Sequence, residues 1–558
     1  MKSVKEVKRG VKEVKEVKEM SPLSSAHSPS KGGEGAAILV GFVPSPFLLR
    51  GRVREGVLTS FTSFTSFTPL LIAGALLAVA GCTVGPDYVR PQMEAPADYK
   101  EATGWKVAQP QDAIVRGKWW EMYGDFELNA LAAQVQIANL SVAQAQAAFQ
   151  QARAVAQAAR AAYFPTLSVG ASVTRTHSSE NLGRLSPIGT FTDYLLPVDL
   201  SWELDLWGRV RRNVESQQAN AQASAADYEN IQLSAQAELA QDYFLLRAAD
   251  SQKQLLDASA EAFDKSLQLT KNRYAGGVAS RADVAQAETQ LRTTQAQAID
   301  VTVQRAQLEH AIAILIGKAP SQFSLPPVGL TALPPPVPTG VPSALLERRP
   351  DVAAAERRVA AANAQIGVTM AAYYPTVTLG ASTGFESNEL SKWLQFPSRF
   401  WSVGPSISET VFDGGLRQAQ TAQARAIYDQ NVAFYRQTVL TGFREVEDNI
   451  AALRILEQEA QVQAEAVKAA RESVALTTNQ YKAGIVSYLN VVIAQAAALN
   501  NERTAVDIQD RRLTASVLLI KALGGGWDAS LLPDANALSR TSDAGPAASD
   551  KRALAGAK

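Results

Sequence analysis

The chain repeats itself along most of its 558 residues, and this duplication limits the possible folds more than any other feature. Three matched pairs carry it: YFPTLSVGAS at 163–172 with YYPTVTLGAS at 373–382, WGRVR at 207–211 with DGGLR at 413–417, and YAGGVAS at 274–280 with YKAGIVS at 481–487. The pairs keep one order and a spacing of 206 to 210 residues, which indicates a tandem repeat. We place the repeats at 128–318 and 343–527, and we expect the proline-rich segment 319–342 between them to be a semi-rigid, extended linker.

Each repeat opens with a helix and a strand. The alanine- and glutamine-rich segments 128–161 and 343–371 predict helices, which Pro165 and Pro375 end. Apolar residues then alternate with polar ones, as in a half-buried strand: Leu167, Val169, Ala171 and Val173 in the first repeat, and Val377, Leu379 and Ala381 in the second.

A second strand follows in each repeat. Polar loops are expected at 175–190 and 383–398, and strands return at 191–206 and 400–412. The sequence therefore predicts one antiparallel hairpin per repeat and four strands per chain.

Very long helices follow, at 209–273 and 416–480. Sixty-five residues of α-helix extend over roughly 97 Å. Apolar residues recur at heptad spacing in the first of them: Leu239, Leu246, Ala260 and Leu267 on one position, and Ala249, Leu256 and Phe263 on the other. This spacing favours coiled-coil packing, with an ordinary helical-bundle core as the alternative.

Each long helix ends at a glycine turn, GGVAS at 276–280 and GIVS at 484–487. Glycine ends a helix and serine caps the next one, so the chain reverses into return helices that are expected to end at Gly317 and Gly524.

Four strands are too few to close a barrel in a membrane, because the smallest such barrels have about eight. An open sheet in lipid leaves unpaired backbone groups at its edges. Several copies must therefore combine, and an open conduit favours at least three, which contribute twelve strands. The duplication would make such a trimer pseudo-six-fold.

The segment LIAGALLAVAGC ends at Cys82, the single cysteine of the chain, and has the pattern of a bacterial lipobox. We expect 1–81 to be a leader whose translation start lies downstream of Met1, with a functional extension as the alternative. The mature chain would begin at Cys82 and carry an N-acyl and an S-diacylglycerol lipid there, with no other cofactor. A buried cysteine after a transmembrane segment is the alternative, but the apolar run is short of the 20 or so residues that span a bilayer.

Charge and composition argue against several function classes. The leader carries 11 of the 54 basic and 6 of the 54 acidic residues, which leaves the mature part at 43 basic and 48 acidic. This balance argues against binding to nucleic acid. His177, in a predicted loop, and His310, on a return helix, are too few and too far apart for a metal site, and nucleotide-binding or hydrolase motifs are missing. We therefore expect no enzymatic activity.

Several motifs together resemble the TolC/OprM-like outer-membrane efflux factors, in particular their NodT-type lipoprotein branch. They are the lipobox at Cys82, TVGPDYVRP at 83–91, WWEMYGDFELNAL at 119–131, ERRPDV at 347–352 followed by YYPTVTL at 373–379, and the two glycine turns. The resemblance covers about residues 82–527, with 82–127 as the N-terminal lipidated and equatorial region and 528–558 as a disordered tail. Thr83 directly follows the cysteine and is consistent with localisation to the outer membrane, since an aspartate at this position would indicate retention in the inner membrane.

The resemblance implies a membrane α+β fold. Three protomers would form a twelve-stranded β-barrel in the outer membrane, four strands from each, continued by a long α-helical barrel in the periplasm. Such a homotrimer is a gated passive duct, which exports small molecules received from an inner-membrane resistance-nodulation-division (RND) pump through a periplasmic adaptor. Besides the pump and the adaptor, the trimer would contact the lipids of the outer membrane, in which the lipid on Cys82 anchors it.

The resemblance also implies site residues. The tips that contact the adaptor's helical hairpins correspond here to six residues: Gly277, Val278, Ser280, Gly484, Ile485 and Ser487. The periplasmic aperture corresponds to Leu489, Asn490 and Ile493. Relatives carry an acid where Ile493 stands and an arginine where Ala496 stands, so we expect an apolar, amide-lined aperture that closes by dewetting.

Two alternative functions remain open at this stage. The outer-membrane component of a type I protein secretion system has the same architecture. A coiled-coil structural lipoprotein would need the stalk helices but no β-hairpins.

Overall fold

The computed structural model describes residues 83–93, 96, 98–101, 117–179, 181, 189–337 and 345–539. The predicted leader 1–81 and Cys82 lie outside the described residues, as does most of the predicted tail. None of the helices in these ranges is both long and apolar enough to cross a membrane.

The two repeats have matching elements. The first contains α1 (Phe126–Ala138), α2 (Leu140–Ala161), β1 (Thr166–Val169), β2 (Ser172–Ser178), β3 (Gly189–Leu204), α3 (Arg209–Ala275) and α4 (Arg281–Leu315). The second contains α5 (Leu345–Arg348), α6 (Pro350–Ala371), β4 (Thr376–Ser387), β5 (Arg399–Ser408), α7 (Leu416–Lys482) and α8 (Tyr488–Ala522). The long helices have 67 residues in both repeats and the return helices have 35, which confirms the duplication.

The opening helix of each repeat is broken, contrary to the single helices predicted at 128–161 and 343–371. Asn139 is extended between α1 and α2, and its side-chain oxygen accepts from the Val142 amide at 3.0 Å. Its amide nitrogen donates to the Leu315 carbonyl at 2.8 Å, at the end of α4. In the second repeat, α6 begins at Pro350, because the residue before a proline disfavours helical geometry.

One antiparallel sheet contains all described strands, in the order β1–β3–β4–β5, with β2 also paired to β3. The pairs of β1 and β2 with β3 share one register, so β1 and β2 are two parts of one strand interrupted at Gly170 and Ala171. The predicted count of four strand positions is therefore confirmed. The hairpin loops are shorter than predicted, because β2 extends to Ser178 and β4 to Ser387, and His177 lies in a strand rather than in a loop.

The predicted heptad residues of α3 lie in two cores. Leu239 and Leu246 belong to the larger one, which packs Trp119, Trp120 and Tyr123 of the 3-10 helix Trp119–Tyr123 against α3, α4, α7 and α8. Leu256, Phe263 and Leu267 belong to a second core nearer the helical turns. Residues at the predicted heptad positions of α3 therefore supply side chains to both cores, as coiled-coil-like packing requires.

A buried charge cluster holds the linker against the helices. Asp250 of α3 lies between Arg247 and Arg305, and Arg305 Nε donates to its Oδ1 at 2.7 Å. Arg247 donates to the Pro326 carbonyl and Arg305 to the Leu325 carbonyl, at 2.7 and 2.6 Å. After a 3-10 turn at Pro320–Gln322, residues 323–337 form no regular element.

The start of the predicted disordered tail is ordered, which corrects that boundary. Residues Ala529–Leu531 form a 3-10 turn and α9 spans Ala535–Ser539. Leu538 is buried against Ala156 and Ala221, because its side chain fills a gap between α2 and α3. Residues 540–558 lie outside the described residues.

Candidate functional site

The sheet has one apolar and one polar face. In an antiparallel ladder, paired residues project to the same side, so the register assigns every side chain to a face. The apolar sheet face contains Leu167, Val169, Val173, Leu196, Val198, Leu200, Trp202, Leu204, Val377, Leu379, Ala381, Phe385, Trp401, Val403, Pro405 and Ile407. Leu167, Val403, Ile407 and other members of this face are exposed in the protomer. The sequence predicted six of them: Leu167, Val169, Val173, Val377, Leu379 and Ala381. Ala171, which was also predicted, lies between β1 and β2.

The polar sheet face consists largely of serine, threonine and glycine. Within the described strands its charged residues are all acidic: Asp193, Asp199, Glu203 and Glu386. Ser382 Oγ donates to Asp199 Oδ1 at 2.6 Å, and Arg209, next to the end of the sheet, pairs with Glu203. A sheet with one exposed apolar face and one polar, acidic face is suited to separate lipid from water.

Both edges of the sheet are open in the protomer. β1 and β2 pair with β3 alone, and β5 pairs with β4 alone, among the described strands. An exposed edge presents unpaired backbone groups, which lipid cannot satisfy. Because neighbouring strands alternate in direction, the β5 edge of one copy is antiparallel to the β1/β2 edge of a second copy.

Aromatic residues mark the junction of the sheet with the helices. The Trp207 indole donates to the Pro375 carbonyl at 2.7 Å and stacks on Tyr374, with ring centroids 4.9 Å apart. The Trp202 indole donates to the Tyr163 carbonyl at 3.1 Å. Tryptophan and tyrosine are enriched at such a level, where apolar rings and polar tips meet a membrane–water boundary.

The N-terminal segment crosses this junction. The Val84 amide donates to the Trp207 carbonyl at 3.1 Å, and buried Arg212 donates to Asp87 at 2.8 Å. Gly208 has a φ of 79° and directly faces Thr83, the residue after Cys82. Thr83, the first residue that the structure describes, therefore lies at the level of the aromatic junction.

The two tip turns connect α3 to α4 and α7 to α8. Gly277 and Gly484 have φ of 74° and 78°, a conformation that favours glycine and reverses the chain. Val278 is 67% exposed and Ile485 is 73% exposed, so each tip presents an apolar side chain to the outside.

The two serines of the tip turns differ. Ser280 forms a full capping box: its Oγ accepts from the Asp283 amide at 3.1 Å, and Asp283 Oδ2 accepts from the Ser280 amide at 2.8 Å. Ser487 occupies the N-cap position of α8, but its side chain makes no capping hydrogen bond. The predicted serine cap is thus present in the first turn only, where Asp283 completes the capping box.

A contact between the two hairpins lies just above the tips, and the sequence did not predict it. Arg273 of α3 donates to the Lys482 carbonyl at 3.0 Å, and its guanidinium lies 4.7 Å from the centre of the Tyr481 ring. Tyr481 and Tyr488 are buried, with ring centroids 5.3 Å apart. Burial raises the pKa of Tyr488 to about 12, with Tyr481 adding to the shift, so Tyr488 packs as a neutral ring. The sequence signal for this ring contact is the spacing of the two tyrosines, seven residues apart on either side of the glycine turn.

The predicted aperture residues share the exposed face of α8. Leu489 is 47% exposed and Ile493 is 58% exposed, while Tyr488, Val491 and Gln495 on the opposite face are buried. Asn490 is exposed beside them. The structure thus brings Leu489, Asn490 and Ile493 together on one surface that the protomer leaves uncovered.

A metal site would need several histidine, cysteine or acidic side chains close together. In the described part of the chain, no group of three or more such residues could hold a metal ion. His177 lies in β2 and His310 lies in α4.

Comparison with known proteins gives one consistent result. The family model described as outer membrane efflux protein matches residues 131–318 and 341–525. The solvent efflux pump outer membrane protein SrpC of Pseudomonas putida is 32% identical over 460 residues, 82% of this chain and 98% of the relative. The outer membrane protein OprJ of Pseudomonas aeruginosa is 32% identical over 468 residues, 82% and 95% of the two chains.

The solved structure of the outer-membrane channel OprN has the same fold. It superimposes with a TM-score of 0.76 at 31% identity, covering 80% of this chain and all of that one. These matches confirm the resemblance drawn from the motifs, the predicted fold class and the outer-membrane location.

Proposed function

Because the chain belongs to the outer membrane efflux protein family, we propose that it is a gated passive duct that releases small molecules delivered by an inner-membrane RND pump. The outer-membrane efflux role follows from the family. That the duct is gated, that its pump is of the RND class and that an adaptor connects the two is proposed here. The observation that supports it best is the sheet with an exposed apolar face, an acidic polar face and two open edges, above hairpins of 67-residue helices.

The open edges favour a homotrimer. Three copies joined from β5 to β1/β2 give twelve strands and leave no edge, and at this size the interior holds water. The polar sheet face then lines the duct and the apolar sheet face contacts lipid. The 67-residue helices, roughly 100 Å long, extend the duct into the periplasm.

The tip turns are proposed as the adaptor contact. Val278 and Ile485 are the exposed apolar residues of the two tips, beside Gly277, Ser280, Gly484 and Ser487. An adaptor that presents helical hairpins could bury both side chains while the glycine turns allow close backbone approach. The duct itself carries out no reaction, since the pump supplies the energy.

The aperture is proposed at Leu489, Asn490 and Ile493. Three copies of this exposed, uncharged surface would form a narrow ring, and an apolar constriction excludes water and ions when it is narrow. Opening would require the second hairpin to move away from the first. The Arg273–Lys482 hydrogen bond and the Arg273–Tyr481 contact both oppose that motion.

Single-channel conductance of the purified protein in planar bilayers tests the gate. We expect Ile493→Asp to hydrate the ring, raise the open fraction about tenfold or more, and make conductance sensitive to divalent cations. Ile493→Leu keeps an apolar ring and should conduct like the unmodified protein. Equal traces for all three proteins would remove position 493 from the constriction.

A lipid on Cys82 is proposed because Thr83 lies at the aromatic junction between sheet and helices. A diacylglycerol attached one residue earlier would be within reach of the periplasmic leaflet. The mass of the mature N-terminal peptide tests this: a triacylated cysteine is expected, and an unmodified Cys82 would contradict it.

The two alternatives differ in what they explain. A coiled-coil structural lipoprotein does not account for the sheet with its open edges. A type I secretion component would share the fold, but SrpC is named as a solvent efflux protein, which favours small apolar molecules as cargo here.

A further inference from the structure

Two arginines interrupt the apolar sheet face at the end of the sheet away from the helices. Arg175 of β2 pairs with Thr192, two residues beyond the Val173–Tyr194 pair. Arg399 begins β5 and pairs with Phe385 of β4. Both side chains are exposed, and both project to the apolar side.

Charge is divided between the two faces of the sheet. The described strands place their acidic side chains on the polar sheet face and their arginines on the apolar sheet face. An arginine on a lipid-facing surface is costly near the bilayer centre and tolerated at the interface. The two arginines therefore indicate the level of the lipid headgroups. Because both side chains are cationic, they suit headgroups with negative charge.

Aromatic residues surround these arginines. The Arg399 guanidinium lies 4.6 Å from the centre of the Phe396 ring, and both Phe396 and Trp401 are exposed. The rings of Tyr194 in β3 and Trp393 in the loop between β4 and β5 are 5.8 Å apart, and the Trp393 indole donates to the Phe385 carbonyl at 3.3 Å. Cations next to rings that extend the apolar surface fit an amphiphile with a phosphorylated head and acyl chains.

We propose that Arg175 and Arg399, with Phe396 and Trp401, form a binding surface for the phosphates of a lipid A-type glycolipid in the outer leaflet. This surface, the arginine rim, rests on the proposed trimer. Closing β5 of one copy against β1/β2 of the next puts Arg399 and the neighbouring copy's Arg175 on adjacent strands. The rim then has three such pairs around the barrel.

Guanidinium groups suit this ligand. Arginine binds phosphate oxygens through two parallel hydrogen bonds, so a pair of arginines can hold a headgroup that carries more than one phosphate. The acyl chains of the same lipid would pack on Trp401 and on Val403 below it, which share the apolar sheet face.

Native mass spectrometry of the full trimer tests the rim with defined lipids. Delipidated trimer is titrated with diphosphoryl lipid A, with its dephosphorylated form and with phosphatidylglycerol. We expect diphosphoryl lipid A to bind about tenfold or more tightly than either of the other lipids. Dephosphorylated lipid A offers the arginines no phosphate, and phosphatidylglycerol offers them only one. Equal affinity for the three lipids in the unmodified protein would overturn the proposal.

Variants then assign the effect to the rim. Arg175→Gln/Arg399→Gln should lose the preference for diphosphoryl lipid A. The matched control Arg292→Gln/Arg471→Gln removes two exposed arginines from α4 and α7 and should keep it. A rim variant with unchanged preference would contradict the assignment. Conductance is recorded on the same samples, so a trimer that conducts but shows no lipid preference would refute the rim and leave the duct intact.

Discussion

At the scale of residues, a few buried charged groups fix how helices meet. Arg349, in the ERRPDV motif, is buried and contacts three helices. It donates two hydrogen bonds to Asp351 at the start of α6, one to Glu445 of α7 at 2.8 Å, and one to the carbonyl of Ala522 at the end of α8 at 3.0 Å. Desolvation works against its charge, but the hydrogen bonds to Asp351 and the charge of Glu445 prevail and raise the pKa of Arg349.

Arg349→Lys tests this contact. A lysine keeps the charge but cannot reproduce the fork that spans Asp351 and Glu445, so we expect a loss of about 1.5–3 kcal/mol in stability. Thermal unfolding in detergent measures it, with the exposed neighbour variant Arg348→Lys as control. Equal melting temperatures for the two variants would show that Arg349 contributes only its charge.

Asp510 predicts a dependence of stability on pH. Burial, and then repulsion from Asp507, raises its pKa from 3.8 to about 6, and its Oδ1 has no hydrogen-bond partner in the described structure. The folded chain thus holds this proton more tightly than the unfolded chain. Its contribution to stability is greatest below pH 3.8 and is lost as the pH rises through 6.

We expect Asp510→Asn to raise the melting temperature at pH 7.5, because the variant has no charge to bury, and to raise it less at pH 5. Melting curves of the variant and the unmodified protein at the two values measure this difference. Asp264→Asn is the control, since Asp264 lies on an exposed surface of α3. A variant that is destabilised equally at both values would contradict the assignment.

At the scale of elements, glycine positions decide where the strands can approach. An added Cβ at Gly384 of β4 would lie 2.0 Å from the Leu196 carbonyl oxygen of β3, whereas a Cβ at Gly404 of β5 would meet nothing within 4 Å. Both residues lie on the polar sheet face.

We therefore expect Gly384→Ala to separate β3 from β4 and to lower the yield of folded protein in the membrane several-fold. Gly404→Ala should leave it unchanged. Quantifying the folded, detergent-extracted protein from equal amounts of membrane compares them. Equal yields would mean that the β3–β4 contact relaxes without cost.

The elements were predictable where one strong periodic signal acts alone. Heptad spacing and uninterrupted helix formers predicted the long helices to within about two residues. Alternation predicted the apolar positions of β1, β2 and the first half of β4, but not those of β3 and β5. The breaks at Asn139 and before α6 were not predicted, because each depends on a competing local preference that helix propensity does not contain. The Arg273–Tyr481 contact and the Asp250 cluster join residues far apart in sequence, so no local pattern contains them.

At the scale of the whole molecule, the protomer is incomplete by itself. Its sheet has an exposed apolar face and two open edges, and the aperture residues lie on a surface that the chain leaves uncovered. The proposed closed trimer would resolve all three features together: the edges would pair, the apolar sheet face would meet lipid, and three copies of Ile493 would face one axis.

The mass and conductance of the purified protein test this account most directly. We predict a stable complex of three chains in mild detergent that inserts into planar bilayers and shows a low-conductance closed state with brief openings. A monomer that conducts nothing, or that remains in water without detergent after removal of any lipid, would contradict the closed trimer and with it the proposed duct.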